Sequence, residues 1–176
     1  MNRTEITIAL TKITERFITG RTGLFAHEVV FDYGSADVKR ADIVAFYSVN
    51  DRLKGIEAGD FVCYEVKSCK EDFNSGFGRN AVGDANYFVM TAQTYLDCKS
   101  ELLKMRDFGV YVAIPDCYIA KFTNKDTEKW LLNPTPFEGD WARWKLCKIS
   151  ECEFTERKRS NLQMMYLMLK SKCHGR

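Results

Sequence analysis

Asp60-Phe61-Val62-Cys63-Tyr64-Glu65-Val66-Lys67-Ser68 reads as a β-strand buried on both sides that nevertheless carries an acid and an amine near its end. Phe61, Val62, Cys63, Tyr64 and Val66 leave little of either face for water, the pattern of a central strand. Side chains alternate along a strand, so Glu65 and Lys67 share one face while Val66 turns to the other. Charges in such a strand are costly unless something pairs them, and the choices are a metal ion or each other. A plain cross-strand ion pair, worth a few tenths of a kcal/mol, is the simpler alternative.

Outward from this strand, the run Arg40-Ala41-Asp42-Ile43-Val44-Ala45-Phe46 puts one acid at the head of another apolar segment. If the two strands are neighbours, Asp42 lies beside Glu65, and two carboxylates converge with the Lys67 ammonium. That trio suits phosphodiester cleavage. A hard cation such as Mg²⁺ takes carboxylate, carbonyl and water oxygens and needs only one or two protein carboxylates. A bound ion lowers the pKa of a water and neutralises charge on the phosphate. Lys67 then holds the attacking water or stabilises the developing charge.

Asp, a gap, then Glu-x-Lys resembles the PD-(D/E)XK nuclease superfamily. Within it the chain is most similar to the MmcB-like DNA repair proteins, through Arg40-Ala41-Asp42-Ile43-Val44, Glu65-Val66-Lys67-Ser68, Glu71-Asp72-Phe73 and Gly83-Asp84-Ala85-Asn86-Tyr87-Phe88-Val89. The match covers about half the chain. Ala41 stands where the superfamily name has Pro. The resemblance implies an α/β, mixed-sheet, restriction-endonuclease-like αβββαβ core with extra C-terminal strands and a helix. It also implies a Mg²⁺- or Mn²⁺-dependent deoxyribonuclease of DNA repair or phage and mobile-element DNA processing. Asp42 and Glu65 are then the metal ligands and Lys67 the catalytic lysine. Superfamily members often add an acid from the first helix, here Glu5 or Glu15; Glu28 on the first strand is a further candidate. Gln93 lies near the place of an auxiliary polar residue, but its spacing does not fit. The rival expectation is a non-catalytic DNA-binding or complex-forming module on the same fold.

Candidate DNA contacts are Arg40, Ser68, Lys70, Arg79, Arg157, Lys158 and Arg159. The net charge of +2 over 176 residues neither demands nor forbids a nucleic-acid partner. Its distribution says more. Residues 155–176 carry six basic residues against one acid, which leaves the remainder net −3 and marks the C-terminal segment as a candidate phosphate-contacting face, or else as a solvated helix flank. Phe73 and Phe77, in a segment with Gly76 and Gly78, are expected in the core, with a wedge at a base step as the alternative.

An odd number of cysteines, seven, without a secretory leader reads as reduced thiols, and the absence of C-x-x-C argues against a zinc ribbon. An iron-sulfur role for Cys147, Cys152 and Cys173 is a minor alternative. Two histidines exclude most histidine-based metal sites and make a serine triad improbable; His27 reads as structural. No apolar run approaches a membrane span. The chain is expected to be a single domain over 1–176, cytoplasmic, with DNA as partner and a homodimer as one open option.

Element by element, a helix is predicted from Thr4 to Gly20 with Thr4 or Asn2 as N-cap, then an antiparallel meander over 26–33, 38–47 and 60–68. A short helix and loop follow over 69–82, with loops at 34–37 and 48–59. Next come a strand at 86–91, a helix at 94–106, a strand from Gly109 to Ile114 in parallel crossover, short strands at 118–122 and 141–149, and a closing helix at 161–169. Met164, Met165 and Met168 are read as core filler.

Overall fold

The computed structural model describes residues 1–21, 23–34, 38–116 and 124–174. Its elements, in chain order, are α1 (Arg3–Thr19), β1 (Phe25–Phe31), β2 (Lys39–Tyr47), α2 (Leu53–Glu57), β3 (Asp60–Lys67), α3 (Lys70–Asn74), β4 (Ala85–Thr91), α4 (Ala92–Leu102), β5 (Gly109–Pro115), α5 (Asn124–Leu131), β6 (Trp144–Ser150) and α6 (Asn161–His174). One mixed sheet holds all six strands in the order β1-β2-β3-β4-β5-β6. β1, β2 and β3 form the antiparallel meander, β3, β4 and β5 run parallel, and β6 returns antiparallel at the far edge. The protein is therefore an α/β protein whose mixed sheet is flanked by helices.

Asn2 caps α1 in a capping box: the Glu5 amide donates to the Asn2 side chain at 2.9 Å, and the Glu5 carboxylate accepts the Asn2 amide at 2.8 Å. The apolar stripe Leu10, Ile13 and Ile18 then packs on one sheet face with Ile43, Tyr64, Val66, Val89 and Tyr111. The other face has two covers. Residues of α4 and α5 pack with Phe88, Met90, Val110 and Val112, and Phe73 of α3 joins them. Met164 and Met168 of α6 close over Val29, Val44, Phe46 and Phe61, as core filler should.

Several elements depart from their predicted bounds. α4 starts at Ala92 because Thr91 accepts the Thr94 amide at 3.1 Å as its N-cap, and it ends at Leu102. The stretch 141–149 opens with a short 3₁₀ turn, Trp141–Arg143, before β6 begins. α2 falls within the expected loop 48–59, and α5 was not expected. The five-residue α2 contains Gly55 and has no side-chain N-cap, and α5 gathers its apolar residues, Trp130 and Leu131, at one end. α2 is too short to show a helical repeat, whereas α5 does carry one, with Thr127, Trp130 and Leu131 at i, i+3 and i+4 on its buried side, in a segment otherwise polar. The strand expected at 118–122 lies outside the described residues. No helix among the described residues is long and apolar enough to cross a membrane.

Candidate metal-dependent nucleolytic site

The β2–β3 ladder runs from Tyr47↔Asp60 to Ile43↔Tyr64 and stops there. One step further, the Asp42 side chain takes over: its Oδ2 accepts the backbone N–H of Val66 at 2.9 Å. The strands part at this point, which opens a cleft of about 690 Å³ lined by Asp42, Glu65 and Lys67. Glu28 lies opposite on β1 and has a left-handed backbone, φ 49°, which is unusual for a residue with a side chain.

Tyr64 and Val66 pack under α1, and the alternation sends Glu65 and Lys67 to the other face. Both are nearly inaccessible, Glu65 at 2% and Lys67 at 3% exposure. Lys67 Nζ donates to the Phe77 carbonyl at 2.6 Å. Glu65 Oε1 is buried with no hydrogen-bond partner. Burial, and secondarily the negative charge of Asp42, push the Glu65 carboxyl up to about 9; the Lys67 ammonium, the Asp42 amide and Arg40 oppose this without reversing it. Two carboxyl groups thus share the site with one buried ammonium.

The loop after α3 closes over these groups. Gly78 has φ 72°, and a Cβ built there would collide with Glu65 Oε2 and lie 3.2 Å from Lys67 Nζ. Only glycine combines this backbone with that approach. Arg79 anchors the loop from behind, donating to the Phe73 carbonyl at 2.7 Å with its guanidinium 4.3 Å from the Phe73 ring centroid. Phe73 is a core residue as expected. Phe77 is not: its side chain is 78% exposed at the cleft mouth, because its carbonyl is turned inward to Lys67.

The candidate auxiliary acids separate. Glu28 lines the cleft and pairs with Arg40 at 2.9 Å. Glu5 is committed to the capping box, and Glu15 pairs with Lys12 and with His27 Nε2 at 3.1 Å, so neither lines it. Among the described residues no group of three or more His, Cys, Asp or Glu is placed to hold a metal ion, which also leaves Cys147, Cys152 and Cys173 without a shared site. Of the acids singled out in the sequence, Asp42, Glu65 and Glu28 line the cleft.

Of the candidate DNA contacts, only Arg40 lines the cleft. Ser68 is buried, with its amide and hydroxyl both donating to Asp72 at 3.1 Å. Lys70 and Lys158 are exposed but lie away from the cleft. Arg157 is a structural clamp: it reaches both Asp84 oxygens at 2.6 and 2.7 Å, donates to the Arg159 carbonyl and Asn161, and covers the Phe61 ring. Arg159 pairs with Asp32 and lies over Phe31. The basic C-terminal stretch therefore spends two of its arginines on folding. Sequence reasoning missed Arg3, Thr7 and Thr11, which line the cleft from the polar flank of α1. Their i, i+4 spacing was a legible signal.

Comparison with protein-family models, with curated proteins and with solved structures finds no match in any of the three.

Proposed function

We propose that this protein is a Mg²⁺- or Mn²⁺-dependent deoxyribonuclease of the PD-(D/E)XK type, similar to MmcB-like DNA repair proteins and acting in DNA repair or in phage and mobile-element DNA processing. The observation that carries the reading is the convergence of the half-buried Asp42 with the buried Glu65 and Lys67 at the parting of β2 from β3. The donor set fits a divalent ion. Glu65 Oε1 lacks any partner, and burial together with the like charge of Asp42 disfavours the Glu65 carboxylate, so a cation shared by the two acids would supply the missing partner and offset both effects. When bound, such an ion supplies a water of lowered pKa and neutralises charge on the scissile phosphate.

The chain's own residues have separable tasks. Asp42 keeps one oxygen on the Val66 amide, which fixes its carboxylate against β3 at the wall of the cleft. Lys67 is held by the Phe77 carbonyl and offers its remaining donors to a phosphate oxygen or to the attacking water. Gly78 and Phe77 narrow the entrance and exclude water from the buried acid. The family-level fold, a restriction-endonuclease-like core, is part of this proposal and is supported by the meander followed by parallel strands. A second reading, a DNA-binding module without chemistry, is favoured by one observation: the loop at 76–78 already rests on both Glu65 and Lys67.

Incubation of nicked, single-stranded, branched and abasic DNA with Mn²⁺ separates the two. The proposal expects cleavage by the wild type and a loss of at least about a hundredfold in Asp42→Asn and in Lys67→Ala. Binding without cleavage on every substrate, or equal cutting by all three proteins, overturns it.

A further inference from the structure

Next to the cleft, and sharing His27 and Glu28 with it, is a second cavity of about 790 Å³ between β1 and α6. Its walls are mostly apolar, but two lysines sit above aromatic rings along it. Lys170 Nζ lies 5.2 Å from the Tyr33 ring centroid, and Lys172 Nζ lies 6.0 Å from that of Phe25. Tyr33 is 83% exposed, far more than a tyrosine of this size needs for its hydroxyl to reach water.

The local backbone explains why Tyr33 stands out. It sits between Asp32 at φ 55° and Gly34 at φ 86°, so left-handed residues on both sides turn it out of the line of β1. Arg159 fastens this turn by pairing with Asp32 while lying over Phe31. A fixed, solvent-facing ring beside an ammonium is a stacking platform with a phosphate contact attached.

We infer that this trough binds an unpaired nucleic-acid strand, with a base stacked on Tyr33 and phosphates met by Lys170 and Lys172, and delivers that strand past His27 and Glu28 to Asp42 and Glu65. One exposed ring beside an ammonium, with a second lysine lining the same trough, suits one base and the phosphates that flank it in an unpaired strand. A duplex keeps its bases stacked inside and offers no ring to Tyr33. The delivery part rests on the nuclease reading above; the binding part does not.

The test measures fluorescence anisotropy of a labelled oligothymidine of about 15 nucleotides, in EDTA so that nothing is cut, with a duplex of equal length as competitor. Tyr33→Ala is expected to weaken strand binding about tenfold and Tyr33→Phe to preserve it. The double variant Lys170→Ala/Lys172→Ala is expected to flatten the logarithmic salt dependence by about 1.4. All three positions lie at the surface of the trough, so an unchanged melting temperature checks that the fold is intact. Wild-type affinity in Tyr33→Ala, or a duplex that competes as well as the single strand, overturns the inference. Absence of cleavage with Tyr33-dependent binding retained removes only the nuclease reading. Cleavage with Tyr33-independent binding removes only the trough.

Discussion

The Asp42 carboxylate accepts the backbone N–H of Val66 at 2.9 Å, in the place where a continuing β2–β3 ladder would have supplied a carbonyl. One side chain thereby satisfies a buried amide and brings an acid to Glu65. The two tasks are separable by substitution. Asp42→Ala leaves the Val66 amide without its acceptor and is expected to cost about 1–3 kcal/mol in urea denaturation. Asp42→Asn keeps an acceptor oxygen and is expected to retain stability while losing any response to divalent ions.

The pH dependence of stability follows from Glu65. Its folded pKa is raised from 4.5 to about 9, so between these values the folded state holds a proton that the unfolded chain releases. The stabilising contribution is complete below pH 4.5 and is lost as pH rises toward about 9. Glu65→Gln, which keeps the shape and removes the charge, is expected to flatten this decline in metal-free buffer and to melt higher than the wild type at the alkaline end. Thermal denaturation across the pH range checks it; parallel curves for the two proteins would contradict it.

Divalent ions are expected to act in the opposite direction. Mn²⁺ raises the melting temperature of the wild type by mass action on the folded state, most strongly at alkaline pH where Glu65 is charged. The gain is expected to vanish in Glu65→Gln. A gain of equal size in that variant would place the ion elsewhere.

Gly76 and Gly78 provide a matched pair. Both have positive φ, 79° and 72°, but a Cβ at Gly76 meets nothing within 4 Å, whereas one at Gly78 runs into Glu65. Gly76→Ala is expected to cost about 1–2 kcal/mol, the left-handed backbone alone. Gly78→Ala adds overpacking, for about 3 kcal/mol in total, and displaces the Glu65 carboxylate. Equal losses in the two variants would mean that the loop does not press on the site.

Arg157 was legible in the sequence as a cation but not as a clamp. With Arg157 and Asp84 at 13% and 11% side-chain exposure, Arg157→Ala strands a nearly buried carboxylate and is expected to cost about 3 kcal/mol. The salt dependence of DNA binding is expected to stay at its wild-type value. A reduced salt slope with unchanged stability would return Arg157 to the DNA face.

The same contrast marks what the sequence could convey. The meander, the parallel crossover and the shared face of Glu65 and Lys67 follow from alternation and apolar runs, which are local properties. The approach of Asp42 to β3 was readable only as a conditional, because strand neighbours are a matter of topology. Partner choice was not readable at all. Arg157 finds Asp84 across 73 residues, Glu15 finds His27, and Phe77 turns its carbonyl to Lys67 and its ring to solvent. Each depends on tertiary placement, and each redirected a residue from its expected role. Tyr33 was hidden for a different reason: its exposure comes from two left-handed neighbours, and Asp32 gives little warning of that conformation.

The central claim, that Asp42 and Glu65 hold one divalent ion beside Lys67, is tested most directly by anomalous diffraction from a crystal soaked in Mn²⁺. The expected result is a peak bonded to carboxylate oxygens of both Asp42 and Glu65. A crystal with Mn²⁺ bound at other residues, or with none between these two acids at saturating concentration, would contradict it.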